Sequence, residues 1–214
     1  VIPAQADLAG YQMLILPQMI VTKPELQTRL RTFVEQGGIL VLTYRDFVKD
    51  IHNNLVLGKQ LPLDFDDFAG VCVAETESLQ QGQEFPVVGE GAFSRIHGQG
   101  GIFREMLLPQ GAQVLLRYGD PFYGEYAAVT CRQQGQGRVY YLGCGLDQPV
   151  LDQLLEHMAA QQGIPSQPSP AGVEVVRRGS PDNSITLVLN HNAQPVEYNG
   201  QTLLPFQCTI LPTA

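Results

Sequence analysis

The chain has 214 residues, 44% of them hydrophobic and 16% charged, the balance of an ordinary globular chain with length for one large domain or a medium and a small one. Its net charge of −8, with 13 basic residues scattered along the sequence, argues against nucleic-acid binding, which needs clustered Lys and Arg. No stretch approaches the roughly 20 apolar residues of a membrane helix, and no basic segment followed by an apolar one opens the chain, so neither a membrane span nor a signal peptide is expected.

The first readable element is Tyr11-Gln-Met-Leu-Ile-Leu-Pro17, a continuous apolar run that reads as a strand buried on both faces. Thr22-Lys-Pro-Glu25 then has the spacing of a capping box, with Pro24 tolerated in the first helical turn. Leu26, Leu30, Phe33 and Val34 follow as one helical stripe, and Gly37-Gly38 ends it. Ile39-Leu-Val-Leu-Thr43 is a second buried strand, completing a β-α-β unit whose crossover is expected to be right-handed.

Residues 45–67 are polar and aperiodic. Residues 69–77 alternate as a strand, and the Gly-rich stretch 89–101 reads as a loop. Strands are predicted at 114–118, 126–131 and 138–142, the last two joined through Gln134-Gly-Gln-Gly137 as a hairpin-like turn. Asp147 can cap a helix in which Val150, Leu151, Leu154, Leu155 and Met158 share a face, with Gly163 closing it. Ile164-Pro-Ser-Gln-Pro-Ser-Pro170 is a semi-rigid linker. Beyond it come short strands at 173–177, 185–190, 195–198 and 207–211, a small antiparallel module near the size at which a domain needs a neighbour to fold. The expected domains are therefore 1–163, a linker at 164–171, and 172–214.

Several residue groups could carry chemistry. Gly143-Cys144-Gly145 lies between a strand and a helix, the setting of a nucleophile elbow. An amidotransferase-like enzyme with Cys144 as nucleophile is the alternative reading. It lacks the G-x-C-x-G spacing, and neither His157 nor His191 begins a His-x-Glu pair. Glu75 and Glu77 share a strand face, as a glycosidase pair must flank one sugar, but no aromatic platform accompanies them. Asp64, Asp66 and Asp67 are interleaved with Phe65 and Phe68, which reads as a helix start rather than a calcium loop. No metal or other cofactor is expected. The cysteines, Cys72, Cys131, Cys144 and Cys208, form no C-x-x-C pair and suit a reducing cytoplasm. Arg45, Asp46, Lys49, His52 and Asn53 form a polar loop after the second strand, where ligands and partners gather in open α/β sheets. They are the candidate contact residues.

In order and spacing, several segments together resemble one family. They are Ala6-Asp-Leu-Ala-Gly-Tyr-Gln-Met-Leu-Ile-Leu-Pro17, Phe33-Val-Glu-Gln-Gly-Gly-Ile-Leu-Val41, Lys49-Asp-Ile-His-Asn-Asn54, Phe68-Ala-Gly-Val71, the Phe122-Tyr123 segment, Gly137-Arg-Val-Tyr-Tyr-Leu-Gly143, Gly172-Val-Glu-Val175 and Leu187-Val-Leu-Asn-His-Asn192. The family is the glycoside hydrolase family 42 β-galactosidases, in their non-catalytic C-terminal part. The resemblance implies a trimerisation domain up to about Gly163, with a class I glutamine amidotransferase-like (flavodoxin-like), mostly parallel sheet flanked by helices, and then a small antiparallel β domain. It implies a homotrimer in the intact enzyme and a separate N-terminal (β/α)8 barrel holding both catalytic glutamates, so no catalytic residue is expected here. Carbohydrate-binding or adaptor modules are a further alternative; the absence of Trp argues against them. The family's middle domain begins with a strand and helix that would precede Val1. The chain is therefore expected to be a fragment, with an unpaired sheet edge or a hole in its core.

Overall fold

The structure is a computed structural model that describes residues 1–166, 168–180 and 183–211. Gln167 of the predicted linker, and residues 181–182 and 212–214 of the predicted small domain, lie outside the described residues. The chain forms two compact units, Val1–Ile164 and Pro165–Ala214.

The first unit begins with the predicted β-α-β order, although β1 is buried on one face only, its Ile15 being 49% exposed. Strand β1 (Met13–Leu16) leads through helix α1 (Pro24–Glu35) to strand β2 (Ile39–Thr43), parallel to β1. A short helix α2 (Asp66–Ala69) precedes β3 (Val71–Ser78), β4 (Glu84–Gly89), β5 (His97–Pro109), β6 (Gln113–Tyr118), β7 (Ala127–Gln134), β8 (Gly137–Leu142), β9 (Cys144–Leu146) and helix α3 (Gln148–Gln161). The nine strands form one mixed sheet in the order β1-β2-β8-β7-β6-β4-β5-β3, with β9 on β5 and a single further pairing of β5 to β7.

This sheet overturns the expected amidotransferase-like, flavodoxin-like fold. Only β1–β2 and β2–β8 are parallel; the other ladders are antiparallel. The cause lies in the connections. A parallel crossover takes a dozen or more residues, usually a helix. Here β6 reaches β7 across residues 119–126 and β7 reaches β8 across residues 135–136, and both pairs close as antiparallel hairpins. One β-α-β unit opens the chain, and the pattern is not repeated.

At the parallel corner, successive side chains of β2 divide between two cores. Leu40 and Leu42 join α1's Leu30, Phe33 and Val34, while Ile39 and Val41 join α3's Val150, Leu154 and Met158. β8 alternates likewise, with Val139 and Tyr141 on the α1 side and Tyr140 and Leu142 on the α3 side. This period of two, apolar on both faces, is what a strand covered by helices on both sides requires. β1 ends the sheet, and beside it runs an open groove of about 590 Å³ lined by Ile2, Leu8, Leu14, Leu16, Leu26 and Leu30 among others.

Two local expectations change and a third holds. The capping box does not form: Lys23 is the N-cap without a side-chain bond, and Thr22 is buried, its N–H donating to the Lys49 carbonyl at 2.9 Å. The chain is drawn into a bridge with the loop after β2 before the helix starts. The predicted loop at 89–101 contains the start of the longest strand. Glycines mark it because the backbone passes close to other groups: a Cβ on Gly100 would run into the Phe85 ring and one on Gly98 into Val150. Asp147 does cap α3, accepting from Val150 N–H at 3.0 Å.

The second unit holds an antiparallel sheet of β10 (Val173–Ser180), β11 (Asn183–Asn190) and β14 (Cys208–Leu211), and a hairpin of β12 (Val196–Tyr198) and β13 (Gln201–Leu203). Its core is Val173, Val188, Tyr198 and Leu203. With so few apolar residues, buried Asn190 adds fixed geometry, donating to the carbonyls of Gln194 and Leu204 at 3.0 and 2.9 Å.

Candidate interaction surface

The loop after β2 has a rigid base and an exposed tip. At its base two non-glycine residues, Arg45 (φ 69°) and Phe47 (φ 55°), adopt left-handed backbone. That conformation costs about 1–2 kcal/mol per residue, so the surroundings must hold it. Phe47 is fully buried and packs edge-on against Phe65, with ring centroids 5.3 Å apart. Asp46 is also fully buried; its carboxylate accepts from Thr43 N–H at 2.7 Å and from Met19 N–H. Arg45 N–H donates to Glu105 Oε1 at 3.1 Å, and its guanidinium lies over the Phe103 ring, 5.7 Å from the centroid.

Glu105, fully buried on β5, joins this base to the sheet. Tyr141 Oη donates to its Oε2 at 2.8 Å, and Tyr118 Oη donates to its backbone carbonyl at 2.8 Å. Burial pushes both carboxyls up, Asp46 to about 7, and each is opposed by the hydrogen bonds that favour its charged form. Beside them Arg104, 7% exposed, is stacked among aromatic rings, 3.9 Å from the Tyr123 centroid and 4.4 Å from that of Phe85, with Glu77 at 3.5 Å.

The tip is different. Asp50 Oδ1 accepts from the N–H groups of His52 and Asn54, both at 2.9 Å, and these bonds, Asn54's foremost, hold its carboxyl below the usual range. Lys49 Nζ donates to Asn53 Oδ1 at 3.1 Å. His52 and Asn53 are exposed. So are three large apolar side chains, Ile51 (54%), Leu55 (62%) and Leu57 (93%). Of the five candidate contact residues, then, Lys49, His52 and Asn53 gather at the tip, Arg45 is half-buried on Phe103, and Asp46 sits inside as an anchor. Sequence reasoning missed Glu105, Tyr141 and the apolar tip. A carboxylate inside the apolar run Phe103-Arg-Glu-Met-Leu-Leu108 was the available signal for Glu105.

The other candidates are spoken for. Cys144 is buried in the β9–β5 ladder opposite Arg104, and burial pushes its thiol up to about 12 against the opposing Arg104 charge. A thiolate nucleophile is therefore disfavoured at neutral pH. His157 pairs with Gln161 at 2.8 Å and packs edge-on against Phe93, and His191 lies 2.9 Å from Glu174. Glu75 is exposed, whereas Glu77 faces Arg104. Asp64 pairs with Lys59 at 2.6 Å and Asp67 with Arg31 at 2.8 Å, and among the described residues no group of His, Cys, Asp and Glu is arranged to hold a metal ion. The four cysteines are free thiols. No helix among the described residues is long and apolar enough to cross a membrane.

Comparison with known proteins supplies the context of this surface. Over 203 residues the chain is 29% identical to β-galactosidase BglY of Alicyclobacillus acidocaldarius, spanning 92% of this chain and 29% of that enzyme. It superposes on the crystal structure of a β-galactosidase from Bacillus circulans sp. alkalophilus with a TM-score of 0.85 at 25% identity, covering 97% of this chain and 34% of that one. For the cold-adapted β-galactosidase of Rahnella sp. R3 the TM-score is 0.85 at 27% identity, covering 98% and 33%. The chain thus spans about a third of the length of the enzymes it matches. Residues 1–165 match the family described as the β-galactosidase trimerisation domain, and the chain belongs to that family.

Proposed function

We propose that this chain is the non-catalytic part of a glycoside hydrolase family 42 β-galactosidase that joins subunits and supports the active site, the complete enzyme hydrolysing terminal β-galactosides as a homotrimer. The observation that carries this reading is the family match over residues 1–165, in a chain that covers only about a third of each β-galactosidase aligned with it. The catalytic (β/α)8 barrel is assigned to the rest of the parent polypeptide. Residues 1–163 act as the assembly domain, 164–171 as a linker and 172–214 as a small β domain. The proposed compartment is the cytoplasm, in keeping with the free cysteines.

The loop after β2 is the proposed contact with a neighbouring subunit or its barrel. It combines exposed apolar side chains with a fixed backbone, so little ordering entropy is lost on docking. Its test is Arg45→Ala with Lys49→Ala in the complete β-galactosidase polypeptide. The expected result is a shift to smaller species in sedimentation velocity and a loss of galactosidase activity that follows dissociation. Unchanged sedimentation and kinetics reject the contact.

A further inference from the structure

Strand β5 is interrupted on its β9 side. Gly101 pairs with Gly145 and Arg104 with Cys144, so Ile102 and Phe103 between them have no partner on β9. A bulge of this kind bends a strand and re-aims its side chains. At Ile102 the backbone takes φ 68°, in the left-handed region, which is an outlier for a β-branched residue. Glycine adopts that conformation without strain, and Gly100 and Gly101 stand immediately before it, yet the strained position holds isoleucine. The backbone is held in place: the Ile102 carbonyl accepts from Leu79 N–H at 3.0 Å, and Phe103 is in register with Ser78 on β3. The side chain gives the fold little in return. It is 60% exposed and lies over Gly145, beside an open groove of about 500 Å³ lined also by Leu79 and Leu146. Strain that local packing does not offset points to a contact outside the chain.

We propose that the Ile102–Phe103 bulge is a subunit contact, with Ile102 standing out as a preformed apolar knob that packs against a second copy of this chain. The contact presupposes the assembly role proposed above and lies on β5, apart from the tip of the loop after β2. Charge and neighbours identify the occupant. Phe103 lies against Tyr44, with ring centroids 5.4 Å apart, and the Arg45 guanidinium lies over the Phe103 ring. Among the described residues that guanidinium makes no salt bridge; the buried Glu105 accepts from the backbone N–H of Arg45 instead. The knob is thus flanked by an unpaired arginine on a chain of net charge −8, which makes it complementary to the acidic surface of another copy. Tyrosine, phenylalanine and arginine are also the residue types enriched at interfaces. A cyclic trimer joins its copies through heterologous contacts, so the knob meets a different surface of its neighbour and need not be self-complementary. Because the bulge is already rigid, little ordering entropy is lost on docking.

The strain provides a signature that a purely structural residue lacks. In the 214-residue chain, Ile102→Gly relieves the left-handed strain and removes an exposed side chain, so the urea midpoint of unfolding does not fall. In the complete β-galactosidase polypeptide the same substitution weakens assembly: in sedimentation velocity over a concentration series, dissociation moves to higher protein concentration by about tenfold or more. Ile102→Leu, which returns an apolar side chain, restores the unsubstituted behaviour. A lower urea midpoint for Ile102→Gly in the 214-residue chain overturns the knob, because Ile102 then serves the fold. Unchanged assembly in the complete polypeptide overturns it too, whatever the effect on galactosidase activity. The two levels of the reading fail separately. An unsubstituted polypeptide that sediments as a monomer ends the assembly role and the knob together, whereas a trimer that tolerates Ile102→Gly ends the knob alone.

Discussion

The parallel corner and the antiparallel strands of the large unit solve burial differently. In the corner, β2 is apolar on both faces and helices cover it, so its stability comes from packing. Across the antiparallel strands the interior also takes in Arg104, Glu105 and Thr130, and their hydroxyl and aromatic neighbours. Buried polar groups add little net stability, but they fix geometry and respond to protons. The corner serves as ballast, while the polar interior sets the position of the loop after β2. The two regions should therefore fail in different ways.

The largest expected effect tests the corner. Phe33→Ala opens a cavity under Gly38, whose backbone leaves room for no more than the ring, and should cost about 3–5 kcal/mol in denaturant unfolding at any pH. The turn after β2, which Glu105 of the polar interior ties to the sheet, should instead show a pH signature. With Asp46 raised from 3.8 to about 7, its protonation stabilises the fold fully below about pH 3.8, and that contribution is lost as pH rises through about 7. Relative to Asp46→Asn, which does not titrate, the unsubstituted chain should lose about 4 kcal/mol between pH 4 and 8. A flat difference between the two would remove the contrast between the regions. Gly100→Ala, which forces a Cβ into the Phe85 ring, should cost about 1–3 kcal/mol through overpacking and leave the pH profile unchanged.

The same contrast explains what was legible in the sequence. The corner could be read because its signals are local: an apolar run for β1, a helical stripe from Leu26 to Val34, and Asp147 capping α3. The antiparallel half could be read only in pieces. Gly98, Gly100 and Gly101 made β5 resemble a loop, although Gly98 serves close packing against α3 and Gly100 against Phe85 rather than a turn. Missing β4 and β5 concealed the short connections that forbid the parallel fold the resemblance implied. It also hid Glu105, whose partners Arg45 and Tyr141 lie 60 and 36 residues away in sequence. At the loop, polar residues drew attention to the tip, yet Asp46 lies inside and the exposed apolar residues Ile51, Leu55 and Leu57 follow it.

The central claim is that this chain joins subunits, and the loop tip offers the most direct access to it. Leu57 is 93% exposed and Leu55 62%, so replacing both with Ser should change the stability of the isolated chain by no more than about 0.5 kcal/mol per site. Sedimentation velocity of the complete β-galactosidase polypeptide carrying Leu55→Ser and Leu57→Ser is the deciding measurement. The account requires a trimer in the unsubstituted enzyme and a shift toward monomer in the variant; the same sedimentation coefficient for both would contradict it.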